Sequence, residues 1–289
     1  MAKIVAVHGV GQQFKGDAII HSAWWPALRS GLHLAGRDLS DEGEMVCPFY
    51  GHLFRKPGEL SEGGIYNAND VGDEEFALLE LLWHAASKTE PNKVPSKNAY
   101  LAGQSLARTP QWVQRGLNAL SKSKFFVNVS QSLLIGDLKQ MLRYFDDTDL
   151  REKVLKTVLD CITPDTKVVI GHSMGSVVAY EALCRKPENA ISFISIGSPL
   201  GIRNLVFDKL SPPPNAMGIG KWPGKVTYWT NIADKGDIVA IQKQLAPLFG
   251  DRVKDVLIYN GSDAHHGERY LTTQEAGEAI KQGVWPENS

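Results

Sequence analysis

The sequence has few cysteines, almost no net charge and no cluster of basic residues. Its three cysteines, Cys47, Cys161 and Cys184, are odd in number and widely spaced, and the formal net charge at pH 7 is −1. This pattern predicts reduced, buried thiols and a cytoplasmic location; it indicates neither a disulfide framework nor a metal site. A near-neutral chain without a basic cluster gives no reason to expect a nucleic-acid partner.

Long apolar runs are also missing. No run approaches the length of a membrane span, so we expect no integral membrane association, although the near-neutral charge leaves a lipid substrate open. The first apolar run, residues 4–7, ends too soon for a secretory signal peptide. No His, Cys or carboxylate cluster has the spacing of metal ligands, so neither a metal nor an organic cofactor is expected. The sequence carries no signal of oligomeric state.

What the chain does have is enough apolar material for a core. Hydrophobic residues make up 43% of the 289 residues, which suits one sizeable domain with an insertion, or two small domains. Short apolar runs rich in β-branched residues predict buried parallel strands at residues 3–8, 45–50, 167–171, 191–197, 225–231 and 255–260. Helical segments lie between them at 22–35, 176–185 and 274–281. This alternation predicts an α/β fold.

Residues 57–149 break the alternation because they contain no convincing strand. Helical segments are predicted at 74–87, 111–120 and 133–145, and the segment 149–161 is predicted to be the helix that leads into the next strand. We interpret 57–149 as a helical insertion or cap over the carboxyl edge of the sheet. Ordinary crossover helices are the alternative.

The strongest chemical signal is Gly-His-Ser-Met-Gly at residues 171–175. A buried strand leads directly into this motif and a helix follows at once, which is the context that a nucleophile elbow requires. Ser173 must then adopt a strained backbone conformation, and Gly171 and Gly175 let strand and helix approach closely. A plain glycine-rich turn is the alternative. The context favours Ser173 as a nucleophile.

Four further motifs follow other predicted strands. They are His-Gly-Val-Gly at 8–11, Gly-Ser-Pro-Leu at 197–200, a loop with Asp234 and Asp237, and the pair His265-His266. Together with the elbow, these motifs resemble the α/β-hydrolase superfamily in its lipase- and esterase-like branch. The resemblance extends from residue 7 to residue 271 and implies one domain over 1–289, with a mostly parallel central sheet flanked by helices. It does not account for residues 57–149.

The resemblance also implies roles for particular residues. The amides of Val10 and Met174 are the expected oxyanion donors, and His8 is expected to be a structural residue of its turn. Gly-x-Gly at 9–11 lacks the third glycine and the Lys-Ser/Thr of a phosphate-binding loop. The residues expected to line the substrate site are Gly9, Gly11, His172, Ser198, Pro199 and Leu200, with Trp24, Trp25 and Trp112 as aromatic candidates.

A serine nucleophile needs a base and an acid that orients the base. Asp237 is the expected acid because it lies where lipase-type strand ends carry theirs, although Ala240 replaces the usual proline; Asp234 in the same loop is the alternative. His265 is the expected base, because it precedes a Tyr-Leu pair, with His266 as the alternative. The order Ser, Asp, His is that of the α/β-hydrolase fold.

These residues predict a serine hydrolase that cleaves a carboxylic ester, either a small molecule or a lipid, through an acyl-enzyme. The same machinery serves a thioesterase, an amidase or an acyltransferase. A protein of another class, an interaction module that keeps the fold without turnover, is the remaining alternative.

Overall fold

The computed structural model describes residues 2–55, 66–100, 108–126, 129–186, 191–261 and 264–286. These residues contain six β-strands and nine α-helices. The first residues of the predicted insertion, from residue 57, lie outside the described residues, as do 101–107 and 127–128 within it.

All six strands form one parallel sheet in the order β2-β1-β3-β4-β5-β6. The strands are β1 (Ile4–Val7), β2 (Met45–Val46), β3 (Val168–His172), β4 (Ile191–Ile196), β5 (Val226–Asp234) and β6 (Val253–Ile258). Every predicted strand is present, so the α/β prediction is confirmed. The second strand is shorter than predicted, because Pro48 has no amide hydrogen to continue the ladder. The fifth is longer and runs through Asp234.

Helices cover both faces of the sheet. One face carries α1 (Asp17–Leu34), α8 (Gly267–Leu271) and α9 (Gln274–Val284), and the other carries α5 (Thr148–Cys161), α6 (Met174–Arg185) and the short α7 (Ala246–Phe249). Alternate residues of β1 therefore belong to different cores: Ile4 packs on the first side and Val5 on the second. Burial on both faces explains why these strands are continuously apolar.

The described part of residues 57–149 is helical, as predicted. It contains α2 (Asp73–Thr89), α3 (Pro110–Leu120) and α4 (Gln131–Asp146). Side-chain caps begin two of these three helices: Thr109 accepts from the amide of Trp112, and Ser130 accepts from that of Leu133. Among the described residues, every helix is too short or too polar to cross a lipid bilayer.

The strand order places a switch point between β1 and β3. The chain leaves β1 for β2 on one side, and it leaves β3 for β4 on the other. In open parallel sheets, ligands bind outside the carboxyl ends of the strands at such a point. The turn at 8–11 follows β1 and the elbow at 171–175 follows β3, so both motifs lie at this crevice.

Two glycines allow the close packing at the switch point. A Cβ atom on Gly175 would lie 2.2 Å from the carbonyl oxygen of Val7 and 2.3 Å from that of His8. A Cβ atom on Gly171 would lie 2.4 Å from the Cα atom of Ser176. Both obstacles are backbone atoms, which cannot rotate away. Helix α6 can therefore lie against the end of β1 only with glycine at 175.

We expect Gly175→Ala to lower the free energy of unfolding by about 2–3 kcal/mol, because the methyl group must displace β1 from α6. Urea denaturation measures this change. Gly136→Ala is the matched control, because its Cβ would lie 3.8 Å from the Tyr66 ring and the helix gains propensity. Equal stability of the two variants would contradict the packing described for Gly175.

Candidate active site

Ser173 lies at the turn between β3 and α6, in a backbone conformation that non-glycine residues rarely adopt. Its φ is 52° and its ψ is −132°. Its amide donates to the carbonyl oxygen of Ile196 at 3.0 Å, which ties the turn to the neighbouring strand β4. Strain of this kind costs about 1–3 kcal/mol and persists where the surrounding structure enforces it. The predicted elbow geometry is therefore present.

Three side chains from distant parts of the chain form a hydrogen-bonded series at this turn. The Nε2 atom of His265 lies 3.1 Å from the Oγ atom of Ser173, and its Nδ1 atom lies 2.8 Å from Oδ2 of Asp237. A carboxylate can only accept, so Nδ1 carries the proton and Nε2 is left to accept the serine hydroxyl. The arrangement can raise the nucleophilicity of Ser173.

Asp237 is buried, and several donors hold its charge. Burial alone would raise its pKa, but His265, Lys243 and the hydroxyl of Tyr270 together lower the pKa of Asp237 to about 2. Tyr270 donates to Oδ2 at 2.8 Å, and the amide of Val239 donates to Oδ1 at 2.8 Å. The carboxylate is therefore ionised at neutral pH and can orient the imidazole of His265.

Asp234, the alternative acid, has other partners. Its Oδ1 accepts from the amide of Gly236 at 2.6 Å, and its Oδ2 accepts from the amide of Asn260. Its own amide donates to the Tyr270 hydroxyl at 2.9 Å. Asp234 thus joins the β5 and β6 loops, and the structure brings Asp237 to His265.

The two other histidines near Ser173 differ from His265. His172 donates from Nε2 to the carbonyl oxygen of His265 at 2.7 Å, and burial, followed by the charge of His265, lowers the pKa of His172 to about 3. His172 is thus a neutral donor that holds the backbone of His265. His266, the alternative base, is the N-cap residue of α8 and lines the polar cavity described below.

The turn after β1 packs directly against Ser173. A Cβ atom on Gly9 would lie 2.8 Å from the Cβ atom of Ser173. His8 donates from Nδ1 to the carbonyl oxygen of Gly9 at 2.8 Å, and its pKa is lowered to about 4, chiefly by burial. His8 therefore holds the turn as a neutral residue, in line with its expected structural role.

Val10 and Met174, the expected oxyanion donors, line one small cavity together with Ser173. Met174 is the first residue of α6, and the amide of a first helical residue has no acceptor within its own helix. The positive end of the helix dipole also lies here. This position suits an amide that stabilises a developing negative charge. Gly11, which follows Val10, has a φ of 73° and faces the carboxylate of Asp137.

Two cavities meet at His265. The larger has a volume of about 650 Å³, and its polar lining includes Lys15, Asp137, His172, Glu268 and Arg269. The smaller has a volume of about 110 Å³, contains Ser173 and is lined mainly by apolar side chains, including leucines of α2 and α4. The predicted helical region thus contributes walls to a cavity beside Ser173.

Some expected substrate-site residues lie elsewhere. The described residues that line the two cavities include none of Ser198, Pro199 and Leu200. Ser198 is buried and its Oγ lies 2.6 Å from that of Ser176, while Leu200 is buried in the core. Ser198 therefore has a polar partner inside the protein, and Leu200 has an apolar surrounding.

The three tryptophans expected to line the substrate site lie in different places. Trp24 lines the larger cavity, whereas Trp25 and Trp112 are packed in the hydrophobic core. Gly9 and His172 also line the larger cavity, as expected.

Sequence reasoning missed the importance of Tyr270 and Gly197. In the sequence, Tyr270 served only to distinguish His265 from His266 as the expected base. In the structure its hydroxyl donates to Asp237 and accepts from the amide of Asp234. Gly197 has a φ of 55°, and a Cβ atom there would lie 2.9 Å from Oδ2 of Asp237 and 3.2 Å from Nδ1 of His265. A glycine at the end of the predicted strand β4 was the available signal for this close approach.

The described residues contain no group of three or more His, Cys, Asp or Glu side chains arranged to hold a metal ion. The three cysteines are free, and burial raises the pKa of Cys47 to about 12. No protein-family model matches the sequence, and a comparison with curated proteins finds no significant match. What the protein does must therefore be inferred from its own residues.

We expect Asp237→Asn to slow the reaction of Ser173 with a fluorophosphonate by about 10³- to 10⁴-fold, because an amide can stabilise the wrong tautomer of His265. Asp234→Asn is the matched control and should retain the rate within about tenfold. It should instead lower the free energy of unfolding by about 1–3 kcal/mol, because its carboxylate accepts from two backbone amides. Labelling kinetics and urea denaturation measure the two effects; the reverse pattern would make Asp234 the acid.

We expect Tyr270→Phe to slow labelling of Ser173 by about 10- to 100-fold, since a hydrogen bond to a charged group contributes about 1.5–3 kcal/mol. Tyr180→Phe is the control: it removes another hydroxyl, which donates at 2.7 Å to the carbonyl oxygen of Lys221. Proton NMR of the His265 Nδ1 hydrogen gives a second measurement. Its signal should move in Tyr270→Phe and stay in place in Tyr180→Phe. An unchanged signal in both would contradict a positioning role.

Proposed function

We propose that the protein is a serine hydrolase of the α/β-hydrolase type that cleaves a carboxylic ester. The observation that carries the proposal is the hydrogen-bonded series from Ser173 through His265 to Asp237, with Ser173 at a strained turn. The position of that turn, at the switch point of a parallel sheet, supports it further.

The reaction begins with proton transfer. His265 Nε2 takes the hydroxyl proton of Ser173 while Oγ forms a bond to the ester carbonyl carbon. Asp237 stabilises the imidazolium that results. The carbonyl oxygen becomes an oxyanion, and the amides of Val10 and Met174 are its proposed donors.

The tetrahedral intermediate then collapses. The bond from the carbonyl carbon to the alcohol oxygen breaks, and His265 gives its proton to that oxygen as the alcohol leaves. The acyl group remains on Ser173. Water repeats the sequence with His265 as base, which releases the acid and restores the serine hydroxyl.

Two features argue against a scaffold that has lost turnover. A strained Ser173 destabilises the fold by about 1–3 kcal/mol. A buried carboxylate at Asp237 also requires the donors His265 and Tyr270 to remain in place. A protein with no use for the nucleophile gains nothing from either arrangement.

The test is hydrolysis of a simple chromogenic ester together with fluorophosphonate labelling. We expect wild type to be labelled and to release acid and alcohol in equal amounts, and Ser173→Ala to do neither. His265→Ala should reduce both by at least about 10³-fold. Ser22→Ala is the control, because Ser22 is an exposed serine of α1 and should be irrelevant to reactivity.

Folded wild type that resists the probe would support the scaffold instead. Persistent labelling of Ser173→Ala would place the nucleophile at another residue. Thioester and amide substrates belong in the same panel, and a preference for either would change the substrate class while leaving the nucleophile in place.

A further inference from the structure

The two cavities at His265 differ in chemistry. The walls of the smaller cavity are mostly apolar and include Leu78 and Leu82 of α2, Leu134, Leu138 and Met141 of α4, and Phe126, while Asp137 lines both cavities. The larger cavity has charged residues of both signs, with Lys15 and Arg269 beside Asp137 and Glu268. An ester consists of an acyl part and an alcohol part, and the two cavities would surround these parts with different kinds of side chain.

The positions of the reacting atoms indicate which part of the ester lies in which cavity. In the proposed mechanism the leaving oxygen takes its proton from His265, so the alcohol must lie on the imidazole side. His265 lines both cavities, but His172 and His266 line the larger one without the smaller, and Ser173 and Met174 line the smaller one without the larger. The acyl carbon bonds to Ser173 and its oxygen faces Met174. The acyl chain therefore points into the smaller cavity.

The volume of the smaller cavity indicates how much of an acyl chain it can enclose. An apolar cavity of about 150 Å³ holds benzene, which has six carbons. A cavity of about 110 Å³ therefore holds about four. The larger cavity, at about 650 Å³, has room for a bulky alcohol with polar groups.

The walls of the small cavity have little room to move. Leu78 and Leu82 are buried members of the hydrophobic core. Behind them on the same helix, Leu79 lies against Gly116 of α3, where an added Cβ would be 3.2 Å from the leucine side chain. Close-packed interiors resist insertion of extra methylene groups. A longer chain would have to displace this packing.

We propose that the protein hydrolyses esters of short aliphatic acids, with an acyl chain of about four carbons and a larger polar alcohol, and that helices α2 and α4 set the limit on chain length. This inference rests on the proposed ester hydrolysis at Ser173. It differs from that proposal in depending on the helical region, which contributes nothing to the series from Ser173 to Asp237.

The first experiment measures kcat/KM for p-nitrophenyl acetate, butyrate, hexanoate, octanoate and laurate, each below its micellar concentration. We expect the maximum at butyrate and a fall of at least about tenfold by octanoate, in keeping with the effect of surplus methylene groups in a filled pocket. A maximum at octanoate or laurate would overturn the inference.

The second experiment enlarges the cavity. Leu82→Ala removes part of its wall and should raise the ratio of kcat/KM for octanoate to that for butyrate by at least about fivefold. Leu79→Ala is the matched control, because it removes the same atoms from a buried leucine that faces α3 instead. Its ratio should equal that of wild type. The ratio is measured within one sample, so a partly unfolded preparation leaves it unchanged.

If Leu82→Ala does not fold, Leu82→Val enlarges the same cavity to a lesser extent. The ratio of kcat/KM for octanoate to that for butyrate should then rise by at least about twofold. An unchanged ratio in a folded Leu82 variant, or an equal change in Leu79→Ala, would show that the acyl chain does not bind in this cavity. A fluorophosphonate with a small alkyl group separates the two proposals. If the protein is labelled but prefers long chains, only the limit on chain length is rejected. If folded protein is not labelled, the proposed ester hydrolysis is rejected as well.

Discussion

The close approach of the turn after β1 to the start of α6 is the constraint on which the site depends. Gly9 lets the turn lie against the side chain of Ser173, and Gly175 lets the helix lie against the carbonyl oxygens of Val7 and His8. A side chain at position 9 would push the turn away from Ser173, and one at position 175 would push α6 away from the end of β1. The amide of Val10, in the turn after β1, would then move away from Ser173 at the end of β3. The proposed oxyanion site therefore depends on the close approach of the turn after β1 to Ser173 and the start of α6.

The second requirement is a buried negative charge. An ionised carboxylate inside a protein is costly unless donors surround it, and Asp237 has the imidazole of His265, the hydroxyl of Tyr270 and backbone amides. Tyr270 also accepts from the amide of Asp234, so one hydroxyl connects both acidic residues of the loop. The two aspartates at and just after the end of β5 therefore have different partners: Asp234 accepts from the amide of Asn260 after β6, and Asp237 faces His265.

The sequence predicted the features that depend on residues close together along the chain. Residues 171–175 indicated the elbow because strand, turn and helix follow one another there, and continuous apolar runs predicted a parallel sheet because such strands are buried on both faces. It could not choose firmly between Asp234 and Asp237, since they lie only three positions apart and the choice depends on where His265, which follows β6, is placed in the fold. Tyr270 and Gly197 were missed for the same reason, because their importance comes from contacts between distant segments. Ser198 was expected beside the substrate, but its hydroxyl is taken up by Ser176.

The helical region illustrates a different limit of sequence analysis. Helical periodicity predicts that α2 and α4 have buried faces, but it cannot say that part of those faces lies beside Ser173. In the structure the same row of leucines contributes to the core and to the wall of the small cavity. Under the proposed function, the loops of the sheet would supply the chemistry and the helices would select the acyl chain. The two parts share few residues, so substitutions in α2 or α4 can alter which ester is accepted while the series from Ser173 to Asp237 stays intact.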